Sequence, residues 1–176
     1  MPQHIVFRLY DSLPREILGR WAEELEQITD GEERRAERMR RIEAALDAGS
    51  GSCFLRRPEI ARIVSASLLK FDGNRYWLHA WCIMPNHVHA LVTPTPAITL
   101  SALLHTWKSF SAKQANRVLG RGGPFWMQEY FDRYIRDERH FVSVVEYIHN
   151  NPVAAGLCTS PADWPYSSAT RTETQA

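Results

Sequence analysis

The sequence predicts an α+β protein: a ferredoxin-like antiparallel sheet with helices on one side, and a helical segment inserted near the N-terminus. Two observations predict this fold class. Short runs rich in β-branched and aromatic residues alternate with longer amphipathic runs along the 176 residues. Two of the short runs, on either side of residues 84–86, form a hairpin pattern that is typical of an antiparallel sheet.

The N-terminal part contains one strand and the inserted helical segment. Residues 4–10 are β-rich and short, and Pro14 favours a helix start because proline is tolerated in the first helical turn. Residues 14–48 have apolar side chains at helical spacing, and residues 29–31 divide them into two helices. We expect this insertion to cover the sheet or to regulate access to a pocket.

The remaining elements alternate between helices and strands after a flexible connector at residues 49–52. Helices are predicted over residues 58–69, 100–120 and 141–151. A hairpin of two strands is predicted over residues 75–83 and 87–93, and a further strand over residues 130–135. The last helix is expected to stop near Asn151 because Pro152 follows it. We therefore expect residues 1–176 to form a single domain.

Composition narrows the class of protein. The three cysteines are odd in number and far apart, which excludes a disulfide framework and favours buried thiols in a reducing cytoplasm. No apolar run approaches the roughly 20 residues of a membrane span. The net charge is only +1, but residues 11–47 hold eleven acids and seven bases, whereas residues 99–121 hold four bases and no acid. The basic stretch is compatible with an anionic partner.

The stretch M-P-N-H-V-H-A-L-V (84–92) places two histidines in a predicted strand. Successive side chains of a strand point to opposite faces, so His87 and His89 share one face while Val88 points to the other. Two imidazoles on one face can reach a single ion and form half of a metal site. The alternative is that these are half-buried histidines with a structural role, and the spacing alone leaves both interpretations open.

A second stretch, E-Y-I-H-N-N-P (146–152), lies at the end of the last predicted helix. At about 100° per residue, Tyr147 lies beside the apolar face and Asn151 follows one turn later, so the two side chains project together. The alternatives are that Tyr147 covers the edge of the core and that Asn151 only precedes the proline.

Other enzymes with two histidines at this spacing differ from the chain in their flanking residues. A histidine-triad hydrolase requires a third histidine where Leu91 stands. A metallo-β-lactamase requires Asp-His where Ala90 and Leu91 stand, and a cupin requires more strands with a later Glu and His. These three classes are therefore excluded.

The wider sequence contains five blocks in a fixed order. They are W-C-I-M-P-N-H-V-H-A-L-V (81–92), W-K-S-F-S-A-K (107–113), G-P-F-W-M-Q-E-Y-F-D-R-Y-I-R-D (123–137), Y-I-H-N-N-P-V-A-A-G-L (147–157) and D-W-P-Y-S-S-A (163–169). Together with the His-hydrophobe-His and Tyr-to-Asn spacings, they resemble the REP-associated tyrosine transposases, a branch of the single-tyrosine HUH nucleases. The resemblance covers roughly residues 50–169, and residues 14–48 have no counterpart in the smallest relatives.

The resemblance implies a DNA transposase that cuts and rejoins single strands. It assigns His87 and His89 to a divalent metal ion, Mg²⁺ or Mn²⁺, and matches Asn151 to the third protein ligand, which is usually a glutamine in the insertion-sequence relatives. Tyr147 would attack phosphorus and form a 5′-phosphotyrosine bond with a free 3′-hydroxyl. Because that ester conserves the energy of the broken bond, no nucleotide cofactor is expected.

The resemblance also implies a partner, single-stranded DNA that forms hairpin repeats, in a cytoplasmic protein associated with the nucleoid when DNA is bound. The oligomeric state stays open between a monomer and a homodimer. Two other functions stay open: a domesticated hairpin-binding protein that does not cut, and a metal phosphodiesterase that uses water. The basic residues expected to contact phosphate are Lys108, Lys113, Arg117, Arg121, Arg133 and Arg136.

Overall fold

The computed structural model describes residues 1–171, which form four strands and five α-helices with short 3₁₀ turns. The strands are β1 (Gln3–Leu9), β2 (Tyr76–Ile83), β3 (His87–Pro94) and β4 (Trp126–Tyr134). The helices are α1 (Arg15–Leu25), α2 (Gly31–Asp47), α3 (Pro58–Leu69), α4 (Leu100–Val118) and α5 (Glu138–Ala154).

The four strands form one sheet in the order β2-β3-β1-β4, and every neighbouring pair is antiparallel. This is the strand order of a ferredoxin-like sheet, so the predicted fold class is confirmed. β1 lies between β3 and β4, and its register places Val6 opposite His89 and Arg8 opposite His87. The predicted hairpin is β2 and β3, which pair from Tyr76 with Pro94 to Ile83 with Val88.

Helices pack against both faces of the sheet, so the expectation of helices on one side is wrong. One face carries Phe7, Val88 and Ala90, which form the main core with α3 and α4. The opposite face carries Cys82 and Leu91, which pack against α5. Both faces are apolar along the interior strands, and a sheet of this kind needs cover on both sides.

The inserted segment divides into two helices at the predicted position. The Asp30 side chain accepts hydrogen bonds from the backbone N–H groups of Glu32 and Glu33, both at 2.8 Å, and so caps α2. Ile42 and Leu46 of α2 are buried in a separate cluster that includes Phe131 of β4. Because Phe131 is paired with Val6, it lies on the α5 face. The segment therefore covers part of the sheet, on the same side as α5.

Two boundaries differ from the predicted ones. β4 begins at Trp126, four residues before the predicted strand start, because it also pairs with the end of β1 at Leu9. α5 continues through Pro152 to Ala154, so the expected stop at Asn151 is wrong. Pro152 lacks only its own N–H donor, and the helix end is closed beyond it by the Ala155 N–H to the Asn151 carbonyl at 3.0 Å and by the Leu157 N–H to the Pro152 carbonyl at 2.8 Å.

The cysteines are all free thiols, as expected, but only Cys82 is fully buried, while Cys53 and Cys158 are half-buried. Across residues 1–171, every helix is too short or too polar to cross a bilayer.

Candidate active site

The two histidines of β3 meet on the α5 face of the sheet. His87 and His89 are 0% and 1% exposed, and their Nε2 atoms lie 3.0 Å apart. The alternating strand places both rings on one face, as the sequence predicted. Burial lowers the pKa of His87 to about 3 and that of His89 well below its usual value, so both imidazoles are neutral near pH 7.

Asn86 holds His87 in one tautomer. Its amide Nδ2 donates to the carbonyls of Leu46 at 3.1 Å and Ser50 at 2.9 Å, which leaves Oδ1 to accept from His87 Nδ1 at 2.7 Å. The proton of His87 therefore lies on Nδ1, and Nε2 presents a lone pair toward His89. A metal-binding histidine needs this arrangement, with its second nitrogen fixed by a hydrogen bond.

His4 is a third histidine of the site, and the sequence analysis missed it. Its Nε2 lies 3.2 Å from Nδ1 of His89, and the two rings stack with centroids 5.4 Å apart. Burial lowers the pKa of His4 to about 4, with a smaller contribution from the positive charge of Arg133. Pairing the first strand with the hairpin would have shown His4 on the same face as His89.

Tyr147 reaches the histidines from α5. Its ring contacts His89 and His4 edge-on, at centroid distances of 5.6 Å and 5.9 Å, and 41% of the residue is exposed. Burial raises the pKa of the phenol, and the neighbouring carboxylate of Glu43 raises it further. The free phenol is therefore neutral near pH 7, and it is open to solvent on one side.

Asn151 lies one turn after Tyr147 and is 3% exposed. The two side chains lie close together, as predicted, and the Asn151 amide favours the ionised form of the phenol by lowering its pKa. Within residues 1–171, however, neither Nδ2 nor Oδ1 of Asn151 makes a hydrogen bond of normal length. A buried amide whose polar atoms make no hydrogen bond of normal length is costly, and it is typical of a position that a ligand completes.

Two carboxylates of α2, Glu43 and Asp47, lie beside Tyr147 and His87, and the sequence predicted neither. Glu43 and Asp47 are one turn apart, so they point the same way. Glu43 interacts with the Tyr147 phenol, and Asp47 Oδ1 lies 3.8 Å from His87 Nε2. Burial raises the pKa of both carboxyls, that of Asp47 to about 6. Their spacing on α2 was visible in the sequence, but nothing in it indicated that this helix reaches the histidines.

The donor set fits a divalent ion. Among the described residues, no three His, Cys, Asp or Glu side chains are already arranged around one point as a complete site. The 3.0 Å between the two Nε2 atoms nevertheless matches adjacent ligands of one ion, because bonds of about 2.1 Å at right angles give about 3 Å. The unpartnered amide of Asn151 supplies an oxygen in the same part of the molecule.

The predicted DNA-binding bases are divided between the two faces of the sheet. Arg133 is paired with His4 across β1 and β4, is exposed, and lies near enough to affect the pKa of His4. Lys113 and Arg117 are exposed on α4, which packs on the opposite face. Arg121 and Arg136 are also exposed, in the loops that follow α4 and precede α5. Only Arg133 of the predicted bases is thus placed beside the histidines.

The amine of Lys108 is occupied by two backbone carbonyls. Nζ donates to the carbonyls of Met127 at 2.6 Å and Gln128 at 2.8 Å. Those carbonyls belong to an irregular part of β4, where the register with β1 shifts between Trp126 and Tyr130. Lys108 therefore ties α4 to the bulge of β4.

A family of known proteins matches the part of the chain that holds most of these residues. A family model described as Transposase IS200 like matches residues 61–151, just over half of the chain. The matched range contains His87, His89 and Tyr147 and ends at Asn151, whereas β1 and the inserted helices lie outside it.

Two curated proteins are similar in sequence. One, from Haemophilus influenzae and assigned as a REP-associated tyrosine transposase, is 30% identical over 99 residues, which is 51% of this chain and 56% of that protein. The other, the REP-associated tyrosine transposase of Escherichia coli K12, is 28% identical over 103 residues, which is 57% of this chain and 59% of that protein. The chain thus spans little more than half the length of the curated relatives it matches.

A solved structure is similar in fold. It is a REP-associated tyrosine transposase bound to a REP hairpin, with a TM-score of 0.59 and 15% sequence identity. The similarity covers 99% of this chain and 79% of the other. At this identity, the comparison shows that the two proteins share a fold.

Proposed function

The chain belongs to the IS200-like transposase family, and from that premise we propose that it cuts and rejoins single-stranded DNA through a 5′-phosphotyrosine intermediate. One observation carries the proposal: the phenol of Tyr147 and the imidazoles of His87 and His89, from distant parts of the chain, meet at one partly open site. The relatives named as tyrosine transposases support the same chemistry.

Tyr147 is the proposed nucleophile. Its Oη forms a bond to phosphorus, the bond from phosphorus to the 3′ oxygen breaks, and that oxygen takes up a proton and leaves as a 3′-hydroxyl. The phenol must lose its own proton in this step, and Glu43 is the carboxylate whose charge acts most strongly on its pKa. We therefore assign Glu43 as the proton acceptor. Rejoining is the same step in reverse, with a 3′-hydroxyl as the attacking group.

His87, His89 and Asn151 are the residues that would hold a divalent ion, Mg²⁺ or Mn²⁺. When bound, such an ion would polarise the scissile phosphate and favour the ionised phenol. Asn86 and His4 would orient the two histidines through their Nδ1 atoms. Glu43 and Asp47 of α2 oppose ionisation of the Tyr147 phenol, because both raise its pKa.

The proposed substrate is hairpin-forming repeat DNA, as the REP hairpin in the related structure suggests. Arg133 would contact a phosphate near Tyr147, because it is exposed on the same face of the sheet. Lys113 and Arg117 on α4 would contact DNA that extends around the sheet to its other face. Contacts of this kind bind the backbone without reading its sequence.

Incubation of a labelled hairpin oligonucleotide with the protein and Mn²⁺, followed by a denaturing protein gel, tests the proposal. The wild-type protein should carry the label covalently, and Tyr147→Phe should bind the hairpin without forming the adduct. Tyr134→Phe is the matched control, since Tyr134 is an exposed tyrosine outside the site. Cleavage without an adduct would indicate a water-using phosphodiesterase, and binding without cleavage would indicate a hairpin-binding protein.

A further inference from the structure

Asp47, the last residue of α2, has a carboxylate oxygen in an unusual position. Its Oδ1 is inaccessible to solvent and receives no hydrogen bond from any residue in 1–171. The Nε2 atom of His87 lies 3.8 Å from this oxygen. A carboxylate oxygen without a donor or a cation is costly to bury, so this atom needs a partner that the side chains around it do not supply.

His87 does not supply that partner. The 3.8 Å between its Nε2 and Asp47 Oδ1 is too long for a hydrogen bond, and the proton of His87 lies on Nδ1, where it is donated to Asn86. The Nε2 atom facing Asp47 therefore carries a lone pair, and the contact is between two groups that both donate electrons. Two such atoms are stabilised together when both bind one cation. Atoms that ligate one ion at about 2.1 Å lie no more than about 4 Å apart, and 3.8 Å is within that limit.

The backbone of α2 fixes Asp47 next to His87. Asn86, which orients His87, also donates to the carbonyls of Leu46 and Ser50 on either side of Asp47. Leu46 is 1% exposed, so the end of the helix is anchored by packing as well. One buried amide thus sets the position of the histidine and of the carboxylate. The 3.8 Å separation follows from this shared anchor, although 32% of the Asp47 side chain is exposed.

We propose that Asp47, contributed by the inserted helix α2, is a ligand of the divalent ion held by His87 and His89. This inference rests on the proposed function, because it concerns the same metal site. It gives the site two imidazoles and one carboxylate. Among the described residues these three side chains do not yet surround one point, so the partly exposed Asp47 side chain would turn toward the ion on binding, with the Asn151 amide as a further oxygen donor. A carboxylate suits Mg²⁺ and Mn²⁺, which favour oxygen ligands, better than a set of two imidazoles and a neutral amide. The inserted segment would then be part of the catalytic centre.

Binding of Mn²⁺, measured without DNA, tests the inference. Isothermal titration calorimetry should show that Asp47→Asn weakens Mn²⁺ binding by at least about tenfold. Asp47→Ala should weaken it at least as much, and it serves as a second variant that does not introduce an amide. Glu33→Gln is the matched control: it removes the same charge from an exposed position in the first turn of α2 and should leave the affinity unchanged.

Thermal unfolding provides the second measurement. Without metal, Asp47→Asn should be at least as stable as the wild type, because it removes a charge that burial disfavours. With saturating Mn²⁺, the wild type should gain more in melting temperature than the variant. This pattern separates a metal ligand from a residue that only supports the fold, since loss of a supporting residue would lower the melting temperature without metal.

The double variant His87→Ala/His89→Ala separates this inference from the proposed function. If Asp47→Asn and Asp47→Ala bind Mn²⁺ like the wild type while the double variant does not, Asp47 is not a ligand and the proposed metal site still stands. If the double variant also binds like the wild type, the proposed metal site itself is wrong.

Discussion

Replacement of Asn86 by alanine tests how the site is held together. Asn86 is 0% exposed and makes three hydrogen bonds: two from Nδ2 to the carbonyls of Leu46 and Ser50, and one from His87 Nδ1 to Oδ1. Each of the two bonds to the carbonyls contributes about 1 kcal/mol, and the loss of the third leaves the buried His87 N–H without an acceptor, which costs about 1–3 kcal/mol. We expect Asn86→Ala to lower the free energy of unfolding by about 3–5 kcal/mol, a large part of the stability of a domain.

Urea denaturation measures that loss, and hydrogen exchange shows where it arises. Amides in the last turn of α2, around Leu46, should exchange faster in Asn86→Ala, while those of α4 should change only with global stability. The control is Asn150→Ala, because Asn150 is an exposed asparagine whose Nδ2 donates only to the Glu146 carbonyl in its own helix. The control should stay within about 0.5 kcal/mol of the wild type. A loss below about 1 kcal/mol in Asn86→Ala, with unchanged exchange in α2, would refute the shared anchor.

Three further predictions concern the metal site and the bases. His87→Ala and His89→Ala should each remove most of the cleavage of hairpin DNA. Normal cleavage by either variant would indicate that the two histidines have only a structural role. Lys108→Met should lower the free energy of unfolding by about 2 kcal/mol in urea while DNA affinity changes little, because its amine donates to two strand carbonyls. Lys113→Ala and Arg117→Ala should each reduce the slope of log DNA affinity against log salt by up to about one unit, measured by fluorescence anisotropy. An unchanged slope in the double variant would show that this face of α4 is solvated and does not contact DNA.

Two parts of the site could be predicted from the sequence because each is a pair of residues within one strand or one helix. The alternation of a strand places His87 and His89 on one face, and the helical turn brings Tyr147 beside Asn151. These pairs depend only on the period of one element. The resemblance of the five blocks then connected the two pairs, which periodicity alone could not do.

The residues that sequence reasoning missed depend on how separate elements pack. His4 joins the site through the register of β1 with β3, and Asp47 joins it through the docking of α2 on the sheet. The placement of Lys113 and Arg117 on the far face follows from which side of the sheet α4 covers. Since both sheet faces are apolar, the sequence pattern alone does not indicate which helix takes which side.

Mass spectrometry of the digested DNA adduct identifies the nucleophile. The nucleotide should be attached to the peptide containing Tyr147, on the 5′ side of the break, and a polymerase should extend the free 3′ end. An adduct on Tyr130 or Tyr134 of β4 would contradict the assignment of the nucleophile to α5. Cleavage at the wild-type rate by Tyr147→Phe, with no nucleotide attached to any peptide, would contradict the phosphotyrosine mechanism as a whole.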